Sequence, residues 1–486
     1  MSNSSLGTYE RFRVDLHELG FHYNVSVVGV FSVPERSPSV SISNETLILQ
    51  AVASTVAEHP NLRLQVRGSA PPRFVQLREL DVKKLVEFRE SLLPPSAARD
   101  HVRLYLQDVL SDENSTPFTS PQNPLWRIIC VDLGVGNVGE KRQTAIAFVY
   151  HHVIADGRSG VAVLASIRDA LNRATAASPA RGEGPGIGKT GFKVDTPPGE
   201  VSASMEELIV YHVTWKSRLR SLYAHYAPCL QRGSHLKIWT GHPFHLNGND
   251  RAKTAIRLIE LPASETARLR DKCNAHGTSI TALLQVLVGN ELFRQFPDAE
   301  ALRCATALSL RRFFPRQLGI DDTKVGVWID AFSYLYKREE LREASQNAEN
   351  LLWMAASQSK RRIDGILRKG LNDLSFASLQ KSADFRAQLL SYLGKPRHNS
   401  YSITNLGVLE QCCPPQSVSK PEPWQLESVF FSQSAHINGS AVQFCIVSCA
   451  AGGMSISLNW QEGTVQDSDM DKVTARLQET LWRWSL

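Results

Sequence analysis

The run His151-His152-Val153-Ile154-Ala155-Asp156-Gly157 holds the residue types whose spacing could do chemistry. Imidazole titrates near neutral pH, so a histidine presented from a rigid element can take a proton from a hydroxyl or amine nucleophile. Asp156 could orient that ring, or pair with an arginine to hold the loop. Gly157 permits a sharp turn and a close backbone approach. With this chain's own His and Gly content and ordinary Asp usage, HHxxxDG is expected by chance in about one such chain in a thousand. Other readings compete. The pair could be core histidines, or His151, His152 and Asp156 could hold a metal, although no further His or carboxylate clusters nearby to complete a coordination sphere. A nucleophilic triad is disfavoured, because no Ser or Cys stands in a GxSxG elbow.

The elements around the motif follow from hydrophobic pattern. Thr144–Tyr150 is almost wholly apolar and reads as a buried central strand, antiparallel to Trp126–Leu133. Gly160, Val163, Leu164, Ile167, Ala170 and Leu171 place a helix directly after it. The motif thus leaves a strand and precedes a helix, two rigid supports for a functional side chain. Upstream, Tyr9, Phe12, Leu16 and Leu19 share a helical face stopped by Gly20. His22–Phe31 reads as a strand. A helix then runs from an Asn44 cap to His59-Pro60, burying Leu47, Ala51, Val52, Thr55 and Val56. Ala174–Glu200 has no apolar period and reads as a linker, with a helical stretch over Met205–Tyr226 after it. Beyond it come strands at Thr254–Leu261, Cys304–Leu310, Val325–Leu335, Tyr401–Thr404, Ser428–Ala435 and Ala441–Leu458. A helix capped by Ser279, a charged helical region over Arg338–Leu390 and a last helix over Ser468–Trp484 complete the reading. The pattern predicts an N-terminal lobe over 1–175, a crossover over 176–250 and a C-terminal lobe over 251–486.

Composition narrows the function classes. The 486 residues include 54 Lys and Arg against 48 Asp and Glu, a net charge of +6, with 42% hydrophobic and 21% charged residues. That is an ordinary globular chain, long enough for two or three domains. The positive charges are scattered, which argues against nucleic acid and leaves room for a local anion site. The eight cysteines form no CxxC pair, and Cys445 and Cys449 lack the His-x-His partner that zinc would need. Several of them read as small core residues. No stretch of about 18 apolar residues predicts a membrane span. Met1–Tyr9 lacks the apolar segment of a secretory signal. The sequons at Asn24, Asn44, Asn114 and Asn438 therefore read as chance matches in a cytoplasmic protein. Gly184-Pro185-Gly186-Ile187-Gly188-Lys189-Thr190 ends like a phosphate loop, but Glu183 stands where the first Gly must be and no strand precedes it.

The HHxxxDG motif after a buried strand resembles the acyl-CoA-dependent acyltransferase superfamily, which includes nonribosomal peptide condensation domains. Within it the chain is most similar to the fungal alcohol O-acetyltransferase family. Tyr9–Val28, Glu58-His59-Pro60-Asn61-Leu62-Arg63, Ser402-Ile403-Thr404-Asn405-Leu406-Gly407, Phe431-Ser432-Gln433-Ser434 and Gly452-Gly453 carry that likeness along nearly the whole chain. The resemblance implies an α/β (α+β) fold of two chloramphenicol-acetyltransferase-like lobes, each a mixed sheet with helices, meeting at a central tunnel. It implies acyl transfer, most simply acetyl from acetyl-CoA to an alcohol or to a hydroxyl of a secondary metabolite. The alternatives are condensation-like transfer from a carrier protein, or N-acetylation of an amine. His152 matches the general base and His151 a supporting histidine. Asp156 matches a structural aspartate paired with Arg311, for which Arg312 is the rival, and Gly157 matches the packed turn. Ser402, Thr404, Asn405 and Ser432 are the candidates for the oxyanion or the acceptor. Val325-Gly326-Val327 departs from the plant branch, which carries Phe-Gly-Asn there, and the DFGWG loop of that branch is absent. The co-substrate implied is acyl-CoA, with no permanently bound cofactor and no metal, in a monomer.

Overall fold

Runs of Val, Ile and Phe build two main sheets in the computed structural model, which describes residues 3–32, 44–68, 71–91, 99–120, 122–135, 142–176, 192–195, 199–209, 236–244, 252–341, 348–375, 379, 384–409 and 424–486. Most of the predicted linker, the helical reading beyond residue 209, the phosphate-loop look-alike at 184–190, and Cys229, Cys412 and Cys413 lie outside those residues.

The first half contributes α1 (Thr8–Glu18), β1 (Asn24–Ser32), α2 (Asn44–Glu58), β2 (Val86–Glu90), α3 (Arg99–Ser115), β3 (Trp126–Val135), β4 (Arg142–His151) and α4 (Gly157–Ala176). The second half contributes β5 (Thr254–Leu261), α5 (Ala263–Ala275), α6 (Ile280–Gln295), β6 (Ala301–Ser309), β7 (Ile329–Lys337), α7 (Ala348–Leu367), β8 (Asn399–Leu409), β9 (Gln425–Gln433), β10 (Ser440–Cys449), β11 (Gly453–Gln461) and α8 (Asp467–Ser485). The first sheet has five strands in the order β9-β1-β4-β3-β2, and the second has six in the order β5-β11-β10-β8-β6-β7.

Both faces of β4 are covered, which explains its continuous apolar run. Ile146, Phe148 and Tyr150 face α2 and α4, while Ala145 and Ala147 face Leu106 and Leu110 of α3. Each such fully buried large side chain stabilises the fold by about 1.5–3 kcal/mol. In the second lobe α6 is buried on almost every side, as its unbroken Leu and Val content requires, and Ser279 caps it by accepting the Ala282 N–H.

One strand departs from the chain order. β9 lies in the range read as the C-terminal lobe, yet it pairs antiparallel with β1, Gln433 opposite Val25. Its Leu426, Val429 and Phe431 fill the first core, so the contiguous division at 251–486 is corrected there. The two sheets are stitched at this seam. Ser455 Oγ donates to the Val429 carbonyl (2.5 Å) and Ser457 Oγ to the Phe431 carbonyl (2.6 Å). The predicted strand over Val325–Leu335 is also corrected: the strand begins at Ile329, and residues 325–328 use their backbone at the motif loop instead.

Candidate active site

β4 ends on His151 and α4 begins on Gly157, so residues 152–156 form a short bend fixed at both ends. Gly157 admits no side chain without pressure: an added Cβ would lie 2.6 Å from Leu406 Cδ2. Asp156 is fully buried and its oxygens sit in a shell of donors. Oδ2 accepts Arg311 Nη1 (2.6 Å) and Trp328 N–H (3.1 Å), and Oδ1 accepts Ser159 N–H (2.9 Å). The Asp156 N–H donates to the Gly326 carbonyl (3.0 Å). Arg311 is equally committed: Nη2 donates to Ser159 Oγ (2.9 Å), Nε to the Asp321 carbonyl (3.2 Å), and its guanidinium lies over Trp328. Burial alone would raise the Asp156 carboxyl, but the Arg311 charge and these hydrogen bonds hold it below the ordinary carboxylate range. Arg311, not Arg312, is therefore the partner.

The two histidines face different surroundings. His151 Nδ1 accepts the Val153 N–H (2.9 Å), and its ring stacks on His17 at 4.4 Å between centroids. His152 lines a cavity of about 270 Å³. Its Nδ1 is buried and makes no hydrogen bond of normal geometry, which leaves Nε2 as the nitrogen open to the cavity. Burial first, and the Arg13 guanidinium second, push the ring down to about 3, while Asp156 and the His152 and Ala155 carbonyls pull the other way. At neutral pH the imidazole is an unprotonated base. Because the Asp156 oxygens belong to Arg311, Trp328 and Ser159, none is left to complete a metal site with the two histidines.

Ser402 and Thr404 alternate onto one face of β8 and line the same cavity. Among the described residues neither hydroxyl has a hydrogen-bond partner, so both remain available as donors. Asn405 also lines it, but its amide donates to Thr281 Oγ1 (3.0 Å) and accepts the Gly407 N–H (2.8 Å). Ser432 is a correction. It is fully buried away from the cavity, accepting from Asn114 (2.8 Å) and donating to Asn459 (2.7 Å), so it is a pin of the seam and not a donor to an oxyanion.

Four residues missed by motif reading surround His152: Tyr9, Arg13, His22 and His436. Burial, the neighbouring imidazole and Arg13 also hold His22 well below its usual range. Position 13 follows Tyr9 by one turn on the apolar face of α1, and a cation on such a face was the available signal.

A second cavity of about 1070 Å³ shares Arg158, Ala307, Leu308, Ser309 and Asn405 with the first. Its cations differ in what they hold. Arg311 is bound to Asp156, Arg158 pairs with Asp322, and Lys360 pairs with Asp364. Arg312 and Arg316 also line it and carry no ion pair among the described residues. Cys304 and Cys445 are buried, which pushes their thiols up to about 12, so neither supplies a thiolate nucleophile.

The alcohol acetyltransferase family model matches residues 99–481 of this sequence. The chain belongs to the alcohol acetyltransferase family. It is an acyltransferase, with acetyl-CoA as co-substrate and an alcohol hydroxyl as acceptor. The probable alcohol acetyltransferase crmB of Aspergillus fumigatus is 27% identical over 99% of this chain and 98% of its own length. The probable alcohol acetyltransferase FCK4 of Fusarium pseudograminearum is 26% identical over 98% and 94%. Among solved structures, TRI3 trichothecene 15-O-acetyltransferase of Fusarium sporotrichioides shares the fold with a TM-score of 0.68 at 12% identity, covering 100% of this chain and 95% of its own. The first condensation domain of the calcium-dependent antibiotic synthetase aligns with a TM-score of 0.58 at 13% identity, over 100% of this chain and 96% of its own. No helix among the described residues of this acetyltransferase is long and apolar enough to cross a membrane.

Proposed function

We propose that this acetyltransferase moves the acetyl group of acetyl-CoA onto a hydroxyl of a secondary metabolite, with His152 as general base. The observation that carries this is the joint lining of one cavity by His152 Nε2 and by the unpartnered hydroxyls of Ser402 and Thr404. The acceptor hydroxyl gives its proton to Nε2 as its oxygen attacks the thioester carbon. The tetrahedral oxyanion accepts a hydrogen bond from Ser402 or Thr404, a contribution of about 2.7–4 kcal/mol in comparable sites. Collapse breaks the carbon–sulfur bond, and His152 returns the proton to the CoA thiolate. His151 supports the turn, and Asp156, Arg311 and Gly157 hold its shape.

Acetyl-CoA reaches the centre through the larger cavity, where Arg312 and Arg316 have charge to spare for its phosphates. The acceptor occupies the smaller cavity of about 270 Å³, which His152 lines. A secondary metabolite is favoured as acceptor by analogy with the trichothecene in TRI3's name. We read the enzyme as a monomer in a fungal cytoplasm; the free thiols of Cys130, Cys273, Cys304, Cys445 and Cys449 fit a reducing compartment.

The test is incubation with acetyl-CoA and a panel of alcohols and amines, following free thiol and the mass of the product. Acceptor-dependent thiol release with an O-acetyl product is expected. Release only with amines, or only when acyl groups are presented on a carrier protein, would overturn the proposal.

A further inference from the structure

The smaller cavity is lined by a cation, Arg13, that has no ion-pair partner among the described residues. Arg13 lies on α1, one turn after Tyr9, with its guanidinium over the Tyr9 ring at 4.8 Å and its Nη2 donating to the Tyr9 hydroxyl. A guanidinium has five N–H donors. Arg13 Nε is buried with no partner, and among the described residues no carboxylate forms an ion pair with Arg13. Asp330 lines the same cavity and keeps its charge, but it makes no ion pair with Arg13; Ser375 donates to its carboxylate through both backbone N–H (3.0 Å) and hydroxyl. The other neighbours are imidazoles, those of His152, His22 and His436, all held neutral by burial and by Arg13 itself.

A guanidinium that lines a cavity with no ion-pair partner, and with a buried N–H that has no acceptor, is costly to keep. Arg311 shows the contrast within the same lobe junction, because each of its nitrogens has a partner. The cavity lining also includes the apolar Leu308, Ile329, Ala331 and Leu379. An occupant is therefore offered a positive charge and aliphatic surface in one cavity, and His152 stands on the same lining.

We infer that Arg13 is an acceptor-recognition residue, and that the preferred acceptor is a hydroxy acid whose carboxylate pairs with the Arg13 guanidinium while its hydroxyl meets His152. This rests on the acyl-transfer reading only for the role of the hydroxyl. Carboxylate binding at Arg13 does not depend on turnover. The Tyr9 hydroxyl and the cation–ring contact keep the guanidinium oriented in the absence of ligand, so the site is built before the acceptor arrives.

The test compares 4-(hydroxymethyl)benzoate with its neutral methyl ester at pH 7.5. Calorimetric titration in the absence of acetyl-CoA reads binding, and thiol release reads turnover. The wild-type protein is expected to bind the carboxylate about tenfold or more tightly than the ester. Arg13→Gln is expected to erase that preference, and Arg13→Lys to keep part of it. Equal binding of acid and ester by the wild type, or a preference that survives in Arg13→Gln, would overturn the inference. Arg13-dependent carboxylate binding without thiol release from any acceptor would count against acyl transfer and leave the subsite standing. Turnover of neutral alcohols with no carboxylate preference would do the reverse. If Arg13→Gln fails to fold, Arg13→Lys and the wild-type acid-to-ester ratio decide the matter.

Discussion

Arg311 Nη1 lies 2.6 Å from Asp156 Oδ2, and both side chains are almost wholly buried, at 3% and 0% exposure. Arg311 follows the end of β6 in the second lobe and Asp156 follows β4 in the first, so this pair ties the lobes at the motif loop. The carboxylate that the motif supplies is thus a fastening of the loop, and the histidine beside it is left to the cavity. Removing one partner strands the other charge in the interior, which typically costs about 3–5 kcal/mol. Asp156→Ala and Arg311→Ala should each lower stability by about that much in urea unfolding. The double variant should cost clearly less than the two together. Additive losses, or a wild-type Asp156→Ala, would remove the pairing from the explanation of the loop.

Histidines set the acid limit. Burial and nearby positive charge bring His152 and His436 down to about 3, and burial with Arg127 brings His17 down to about 4. A histidine depressed in the fold binds its proton better when the chain is unfolded. Its contribution is therefore complete above about pH 6.5 and is lost as pH falls through the window down to 3–4. Tm should fall steadily between pH 7 and pH 5, and His436→Gln should make that slope shallower. An unchanged slope would exclude His436 from the effect.

Glu10 has the opposite sign. Burial raises its carboxyl to about 7, helped by Glu206 and Glu207 after the opposing hydrogen bond to the Glu10 backbone. The Oε2 atoms of Glu10 and Glu206 are both buried without partners on either side of Gly7. The folded protein holds this proton more tightly than the unfolded chain, so its contribution is full below about pH 4.5 and lost as pH rises through 7. Glu10→Gln should raise Tm at pH 8 and leave it nearly unchanged at pH 5. A gain of equal size at both values would point to packing and not to charge.

Close packing at the start of α4 gives a third check. A Cβ at Gly160 would lie 2.5 Å from the Tyr150 hydroxyl and 2.7 Å from Val27 Cγ2. Tyr150 cannot yield freely, since its hydroxyl donates to the Asp156 carbonyl (2.8 Å) in a fully buried place. Gly160→Ala should cost about 1–3 kcal/mol in denaturant unfolding. A neutral outcome would mean that the Tyr150 contact tolerates displacement.

The motif loop was legible in sequence because its parts are local: an apolar strand, five residues and an amphipathic helix. Arg311 was reached through resemblance, and its geometry explains why Arg312 could not replace it. β9 was legible as a strand but not as a member of the first sheet, since partner choice depends on contacts hundreds of residues apart and leaves no local pattern. Ser432 illustrates the same gap. Its neighbours Phe431 and Gln433 line the cavity, but strand alternation turns the serine the other way, toward Asn114 and Asn459. Tyr9, Arg13, His22 and His436 converge from three separate elements, and only the odd cation on an apolar helix face hinted at them. The sequons at Asn24 and Asn114 are explained by burial: both side chains are inaccessible and spent in the fold.

The most direct measurement is the rate of acceptor-dependent thiol release from acetyl-CoA by His152→Ala beside His151→Ala, each checked for a wild-type unfolding profile. Loss of about a hundredfold to ten-thousandfold in His152→Ala, with His151→Ala retaining the larger share of activity, is the expected result. Full activity in a folded His152→Ala would contradict the assignment of His152 as the general base.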